Sequence, residues 1–313
     1  MDLAFFFSEQ ANDFERENFL REMNARGVTA QDLVNFVHFL LPKDFPAFPG
    51  ALDVCGTGGS GLARLNVSTL NAFVLAAGGL PIAKHGNRAA SGRCGSFDLL
   101  ENLGIPFNFS ATKLAEIFRR EHLAFIFAQQ FFPAMRFFAA VRAKLKQPTI
   151  FNLLGPLLNP ARPQQQIVGT NSLTNARLLV AAARGLQRER FAAVTTENGL
   201  DEVTLAGKTF VVELVDQKIR EFELEPADFG LPDYCFAEIA GGDLALNTWL
   251  ARAILTGQSS EGHRDLILAN AAFALNFTQK VPDLVTGTQK ASQIIQTGLA
   301  KQKLATFQRL RPL

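Results

Sequence analysis

Residues 53–101 read DVCGTGGSGLARLNVSTLNAFVLAAGGLPIAKHGNRAASGRCGSFDLLE. The stretch sets two strand candidates, a helix and two polar turns in succession, the texture of an α/β unit. The apolar run ALDVC (51–55) leads into Gly56, Gly58, Gly59 and Gly61. Glycine lets backbone N–H groups approach an anion with no Cβ in the way, and Thr57 and Ser60 add hydroxyl donors. Such a turn by itself is as often only a turn. Asn66-Val67-Ser68-Thr69 then opens a helix in which Leu70, Phe73, Val74 and Ala77 recur at helical spacing and Gly78-Gly79 ends the run. A serine or threonine there is an ordinary helix cap. It is also where a phosphate meets free N–H groups and the helix dipole. LPIAK (80–84) is the next strand candidate. Lys84 at its end, followed by His85, Asn87 and Arg88, stands where open α/β sheets present side chains to a ligand crevice. Ser91, Gly92, Arg93, Gly95 and Ser96 make a second polar loop, with Ser96 as a helix cap and Asp98 in the first turn. Four phosphate-handling elements in one unit point to a ligand with several phosphates.

Outward from this block the chain changes texture. Residues 1–46 read as helical, with candidate helices from Phe14 to Met23 and from Ala30 to Leu41, punctuated by Gly27 and ended by Pro42, Pro46 and Pro49. Residues 97–142 read as helical again and rich in phenylalanine. Strand candidates recur at Gln166–Gly169, Phe191–Thr196, Thr209–Val215 and Ile219–Leu224, the last two as a hairpin around Asp216-Gln217. From Asp243 onward the pattern is helical. Strands alternating with helices predict an α/β sheet with a mostly helical lobe in front.

Composition bounds the function. With 313 residues, 48% hydrophobic and 19% charged, the chain can bury a large core. A net charge of +2 argues against nucleic acid as the main partner. Cys55, Cys94 and Cys235 are far apart and odd in number, which fits neither a disulfide framework nor a zinc site and suits a reducing cytoplasm. MDLAFFFSEQ carries an acid where a signal peptide wants a base, and no run reaches the ~18 apolar residues of a membrane span. The 29 phenylalanines, against one Trp and one Tyr, are expected to serve core packing rather than ligand stacking.

Far downstream, Asp201-Glu202 follows a strand candidate and a turn in FAAVTTENGLDE. Adjacent acids are commonly a solvated loop. Beside a polyphosphate they acquire a purpose, because Mg²⁺ takes one or two carboxylates and completes its shell with substrate oxygens and water.

These motifs together resemble the anthranilate phosphoribosyltransferase family, over nearly the whole chain. GTGGSG is similar to the family's GTGGDG loop, and NVST, KHGNR and GRCGSFDLLENLGI stand in the family's order. TIFNLLGPLLNPA is its most specific signature here; GLDE resembles its metal-binding acids, and GGDLALNTWLARAILTG and RDLILANAAFAL its C-terminal helices. The resemblance implies a nucleoside phosphorylase class II-like phosphoribosyltransferase fold with a mostly parallel central sheet. A small helical lobe (1–47 and about 108–146) would join a large α/β domain (48–107 and 147–313) that binds the donor. It implies transfer of a phosphoribosyl group from 5-phosphoribosyl 1-diphosphate to the amine of anthranilate in tryptophan biosynthesis, with Mg²⁺ as two ions at the diphosphate, in a cytoplasmic homodimer. Gly56, Thr57, Gly58, Gly59, Asn66, Ser68, Thr69, Lys84 and Ser96 would hold the donor. Ser68, Asp201 and Glu202 would engage metal. Gly56, His85 and Asn87 would face the acceptor, with Lys84, His85 and Asn87 as the catalytic set.

The departures fall mainly on the acceptor side. Pro148 stands where the resemblance leads one to expect an arginine facing the acceptor's carboxylate, and proline cannot form that charge-assisted pair. Gln129 replaces a proline and Phe132 a histidine in FAQQFFPAM, while Ser60 replaces the acid of the glycine loop. Arg136 and Arg142 lie nearby as candidate substitutes for the missing guanidinium, which the sequence does not place. Two alternatives stay open: a paralogue acting on another aromatic amine or a nucleobase, and a non-catalytic binding protein that keeps the fold. A phosphorolytic nucleoside phosphorylase fits less well, because NVST with Asp201-Glu202 suits a magnesium-bound diphosphate.

Overall fold

The parallel strands β1 (Leu52–Gly56), β2 (Ile82–Gly86), β3 (Leu123–Phe127), β4 (Gln165–Gly169) and β5 (Arg190–Thr196) are joined by β6 (Thr209–Val215) and β7 (Lys218–Leu224) in one seven-stranded sheet. The strand order is β3-β2-β1-β4-β5-β6-β7; β6 alone runs against the others, so the β5–β6 and β6–β7 pairs are antiparallel and the rest parallel. These assignments come from a computed structural model that describes residues 2–58, 61–89 and 94–311. Gly59, Ser60, Ser91, Gly92 and Arg93, singled out above, lie outside the described residues.

The chain winds outward from β1 to β3 and then returns to lay β4 against the other side of β1. That reversal opens a crevice at the carboxyl ends of β1 and β4, the usual place for a ligand in an open α/β sheet. Gly56 and Gly169, the last residues of these strands, are register partners there.

Side-chain alternation divides the strands between two cores. Ile167, Ala192, Val194 and Val211 face one core, built with the helices Val67–Ala77, Leu244–Leu255, Glu261–Phe277, Leu284–Gln296 and Leu299–Gln308. Val168, Phe191, Ala193, Val212 and Leu214 face the other, which takes in Asp13–Arg26, Ala30–Leu40, Ile150–Leu157 and Leu173–Gly185. Phenylalanine packs as expected. The rings of Phe7, Phe19, Phe36, Phe138 and Phe151 lie with contacting centroids 4.8–6.4 Å apart, in tilted, stacked or edge-on pairs. The exposed edge β7 reads KIREFEL, and its charges discourage pairing with another sheet.

One expectation needs correction. The segment 97–142 is not wholly helical, because β3 lies within it and pairs in parallel with β2 along its full length. LAFIF is a five-residue buried apolar run, and such a run is indistinguishable from buried helix by periodicity. The preceding helix, Ala111–Glu121, stops where His122 turns left-handed (φ 53°), which releases the strand. Among the strands found elsewhere, the hairpin turn is where the sequence put it. Asp216 and Gln217 both have positive φ (49° and 62°), the backbone a tight two-residue hairpin needs.

Candidate active site

The crevice is built on close backbone approach. A Cβ on Gly169 would lie 1.7 Å from the carbonyl oxygen of Asp201, and one on Gly56 would lie 2.7 Å from Asp201 Oδ2. Only glycine at both strand ends lets the 197–202 loop fold over the sheet. Thr57 N–H donates to the Gly169 carbonyl at 2.8 Å and Gly58 N–H to Asp201 Oδ2 at 3.2 Å, so the glycine turn and the acid pair form one unit. Arg64 Nη1 closes on Asp201 Oδ1 as an ion pair. Glu202, almost as buried, makes no side-chain hydrogen bond or ion pair among the described residues. Burial, and then the charge of Asp201, push its carboxyl well above the usual carboxylate range. A cation beside it would relieve that cost.

Asn66 precedes the helix Val67–Ala77, but its side chain does not cap it. Its amide instead donates to the Cys94 carbonyl at 3.2 Å and accepts from Asn247 Nδ2 at 3.1 Å, fastening the first loop to the second and to the helix Leu244–Leu255. The helix N-terminus therefore lacks a side-chain cap, and Thr69 Oγ1 in its first turn is buried without a partner. Both leave polar groups at this helix start that an anion could engage. No capping role falls to Ser68 or Thr69, contrary to the simple expectation.

Lys84 also departs from expectation. β2 runs on to Gly86, so Lys84 lies within the strand and is only 2% exposed. Its ammonium points under the helix N-terminus rather than into the open crevice, donating to the Val54 carbonyl at 2.6 Å and to Ser68 Oγ at 3.0 Å. Burial pushes the Lys84 ammonium down, opposed by Cys55 and Asp53. Asp53, wholly buried on β1, accepts from His85 N–H at 3.2 Å and Gln166 Nε2 at 2.9 Å. The TIFNLLGPLLNP signature braces the same strand. Asn159 Nδ2 donates to the Ala83 carbonyl of β2 at 2.8 Å.

His85 is buried, and burial lowers its imidazole to about 4, so it is neutral near pH 7. Its Nε2 has no partner. Phe132 meets the ring edge-on at 5.8 Å between centroids, an apolar contact where a histidine was expected. Asn87 Oδ1 accepts from Gln129 Nε2 at 3.1 Å, and its carbonyl accepts from Ser96 Oγ at 3.1 Å. Ser96 is the first helical residue rather than the cap; Gly95 holds that place, and Asp98 accepts from the N–H groups of Gly95 and Ala89. Pro148 is exposed, and its carbonyl accepts from Asn24 Nδ2 at 2.9 Å, which ties it to the helix Asp13–Arg26. Arg142 is half-buried, with its guanidinium over the Phe151 ring at 5.2 Å and without an ion pair among the described residues. Arg136 is exposed at the surface near Glu9.

The structure thus gathers Gly56, Thr57, Gly58, Asn66, Ser68, Thr69, Lys84, Asp201 and Glu202 around the ends of β1 and β4 and the opening of the helix Val67–Ala77, and His85, Asn87 and Phe132 at the end of β2. Arg64, Asn247, Asp53 and Gly169 were missed. Arg64 and Asp53 stood inside the decisive stretch, where only glycines, hydroxyls and the KHGNR group drew attention. Among the described residues no cluster of three or more His, Cys, Asp and Glu side chains is poised for a metal.

Comparison with known proteins places the family and the fold. Residues 49–301 match the family model described as glycosyl transferase family, a/b domain. The anthranilate phosphoribosyltransferase of Rubrobacter xylanophilus is 38% identical over 293 residues, 93% of this chain and 86% of that protein. That of Chloroflexus aurantiacus is 39% identical over 289 residues, 91% and 85% respectively. The crystal structure of the Thermus thermophilus enzyme superposes with a TM-score of 0.89 at 33% identity, covering 98% of this chain and 93% of that one. The Saccharomyces cerevisiae enzyme in complex with PRPP and Mg gives 0.87 at 28% identity, covering 97% and 89%.

Proposed function

The chain belongs to the anthranilate phosphoribosyltransferase family, and from that membership we propose that it transfers the phosphoribosyl group of 5-phosphoribosyl 1-diphosphate to the amine of anthranilate, a step of tryptophan biosynthesis. The observation that carries the proposal is the juxtaposition of an uncapped helix N-terminus, with Thr69 Oγ1 unpartnered, and the Asp201-Glu202 pair across one glycine turn. That is a place for a polyanion with its cation.

In the reaction the acceptor nitrogen bonds to C1 of the ribose, the bond from C1 to the diphosphate oxygen breaks, and the amine gives up a proton. Mg²⁺, taken as two ions, would neutralise charge on the diphosphate, and Asp201, Glu202 and Ser68 are the residues that would hold it. The N–H groups of the glycine turn and of the helix Val67–Ala77 bind phosphate oxygens. Lys84 fixes Ser68 from below. Neutral His85, whose buried Nε2 has no partner among the described residues, offers the attacking amine a hydrogen-bond acceptor that orients it. Asn87, steadied by Gln129 and Ser96, orients the acceptor. Arg142 pairs with the acceptor's carboxylate, so Pro148 is no loss; an unpaired, half-buried guanidinium is suited to that partner.

The division into a helical part (1–47, 108–146) and an α/β part (48–107, 147–313) belongs to the same proposal, with β3 contributing to the sheet. His85 meets Phe132 and Asn87 meets Gln129 across it. So does a homodimer through the helical part, which leaves Phe14 71% and Phe39 42% exposed in the single chain. A diphosphate-release assay over a panel of aromatic amines and nucleobases tests the proposal. Anthranilate should be the preferred acceptor; turnover with another member and none with anthranilate would reassign the acceptor.

A further inference from the structure

Arg64 lies in the turn between the glycine loop and the helix Val67–Ala77, and its guanidinium occupies Asp201 Oδ1. The Asp201 side chain is fully buried in this pair, while 33% of the Arg64 side chain remains exposed. Gly58 N–H takes the other carboxylate oxygen at 3.2 Å. Both oxygens of this acid are therefore engaged by the chain's own donors, whereas Glu202 beside it has none. The backbone of Arg64 is clamped. Asn247 Nδ2 donates to its carbonyl at 2.9 Å, and a Cβ on Gly241 would lie 2.3 Å from that carbonyl oxygen. Only the flexible side chain is free to move. A Cβ on Gly58 would lie 3.6 Å from Arg64 Nη2, so the guanidinium already borders the phosphate side of the turn.

We propose that Arg64 is the resident counter-ion of Asp201: it holds the acid in place in the unliganded protein, yields it to the incoming divalent ion, and then serves the donor's diphosphate oxygens. The inference rests on the assignment of Asp201 and Glu202 as metal acids. Two cations at contact distance on one carboxylate oxygen repel each other, so metal and guanidinium compete. The planar fork of arginine suits phosphate as well as carboxylate, which gives the displaced side chain a second partner. Metal and donor binding then support each other: the ion frees Arg64 for the donor, and the donor keeps Arg64 off Asp201.

The test is Mn²⁺ binding, read by the electron paramagnetic resonance signal of the free ion, on the wild type, R64Q, R64K and D201N, first alone and then with saturating 5-phosphoribosyl 1-diphosphate. Without donor, R64Q should bind Mn²⁺ roughly tenfold more tightly than the wild type, the size of an ordinary coupling between sites. R64K, which keeps the charge but loses the fork, should fall between them and carries the test if R64Q does not fold. D201N should bind more weakly than the wild type. Added Mn²⁺ should also raise the melting temperature of R64Q more than that of the wild type. With donor present, Mn²⁺ affinity should rise more in the wild type than in R64Q. Equal Mn²⁺ affinity of the wild type, R64Q and R64K, with D201N weakened, would overturn the role of Arg64 and leave the metal acids standing. Wild-type affinity in D201N would remove the metal acids, and this inference with them.

Discussion

The Lys84 ammonium is held under the N-terminus of the helix Val67–Ala77 by Val54 and Ser68, with no ion pair among the described residues. Replacing it with methionine removes a charge-assisted contact to Ser68 and costs little packing. Lys84→Met should lower kcat/KM for the donor about ten- to a hundredfold while leaving the melting temperature nearly unchanged; intact activity would show that Lys84 is only structural. His85 carries a pH signature. Burial lowers its imidazole from 6.5 to about 4, so the unfolded chain takes up its proton more readily than the folded one. Its contribution to stability is present above pH 6.5 and is lost as pH falls toward 4. His85→Asn should flatten that part of the melting-temperature profile, and the wild-type rate should show no inflection from His85 near pH 6.5. Arg142→Gln should raise KM for anthranilate by about tenfold or more with donor KM unchanged, as for a lost charge-assisted pair. Residue identities were legible wherever a motif carried them. Directions were not. The strand's true end at Gly86 turned Lys84 inward, and Arg64 looked like an ordinary turn residue until the fold brought Asp201 to it from 137 positions away.

At the level of elements, the strand ends β1 and β4 matter more than their interiors. Gly169→Ala would drive a methyl group into the Asp201 backbone, so the 197–202 loop must shift. The expected cost is about 1–3 kcal/mol of stability, read by thermal melting, together with weakened Mn²⁺ binding. An unchanged melting temperature and metal affinity would mean that the loop is not seated by this contact. The helix openings and the hairpin were readable because their signals are local: a 3.6-residue apolar repeat, paired glycines, or a polar dipeptide between alternating strands. β3 was not, since a five-residue apolar run carries no period of its own and its strand identity comes from pairing with β2. The Gly169 contact was hidden for a related reason. GT at the end of β4 looks like any turn until the reversal of strand order sets it beside Gly56.

On the scale of the whole molecule, the reversal between β1 and β4 explains why groups from 56–58, 64–69, 84 and 201–202 converge although they are spread over the chain. The two cores make the sheet a rigid floor for that convergence. In the helical part Phe14 and Phe39 remain uncovered in a single chain. Phe14→Glu should therefore shift the mass in light scattering from dimer to monomer with the fold intact; a wild-type monomer would contradict the dimer. The central claim is phosphoribosyl transfer from a metal-bound donor to anthranilate. The most direct measurement is a single-turnover reaction of the protein with 5-phosphoribosyl 1-diphosphate, Mg²⁺ and anthranilate, with both products quantified, beside the Asp201→Asn, Glu202→Gln double variant. Equal amounts of diphosphate and phosphoribosyl-anthranilate, requiring Mg²⁺ and lost in a double variant that still folds, are the predicted result. No phosphoribosyl-anthranilate from the wild type at saturating substrates, or full product from the double variant, would contradict it.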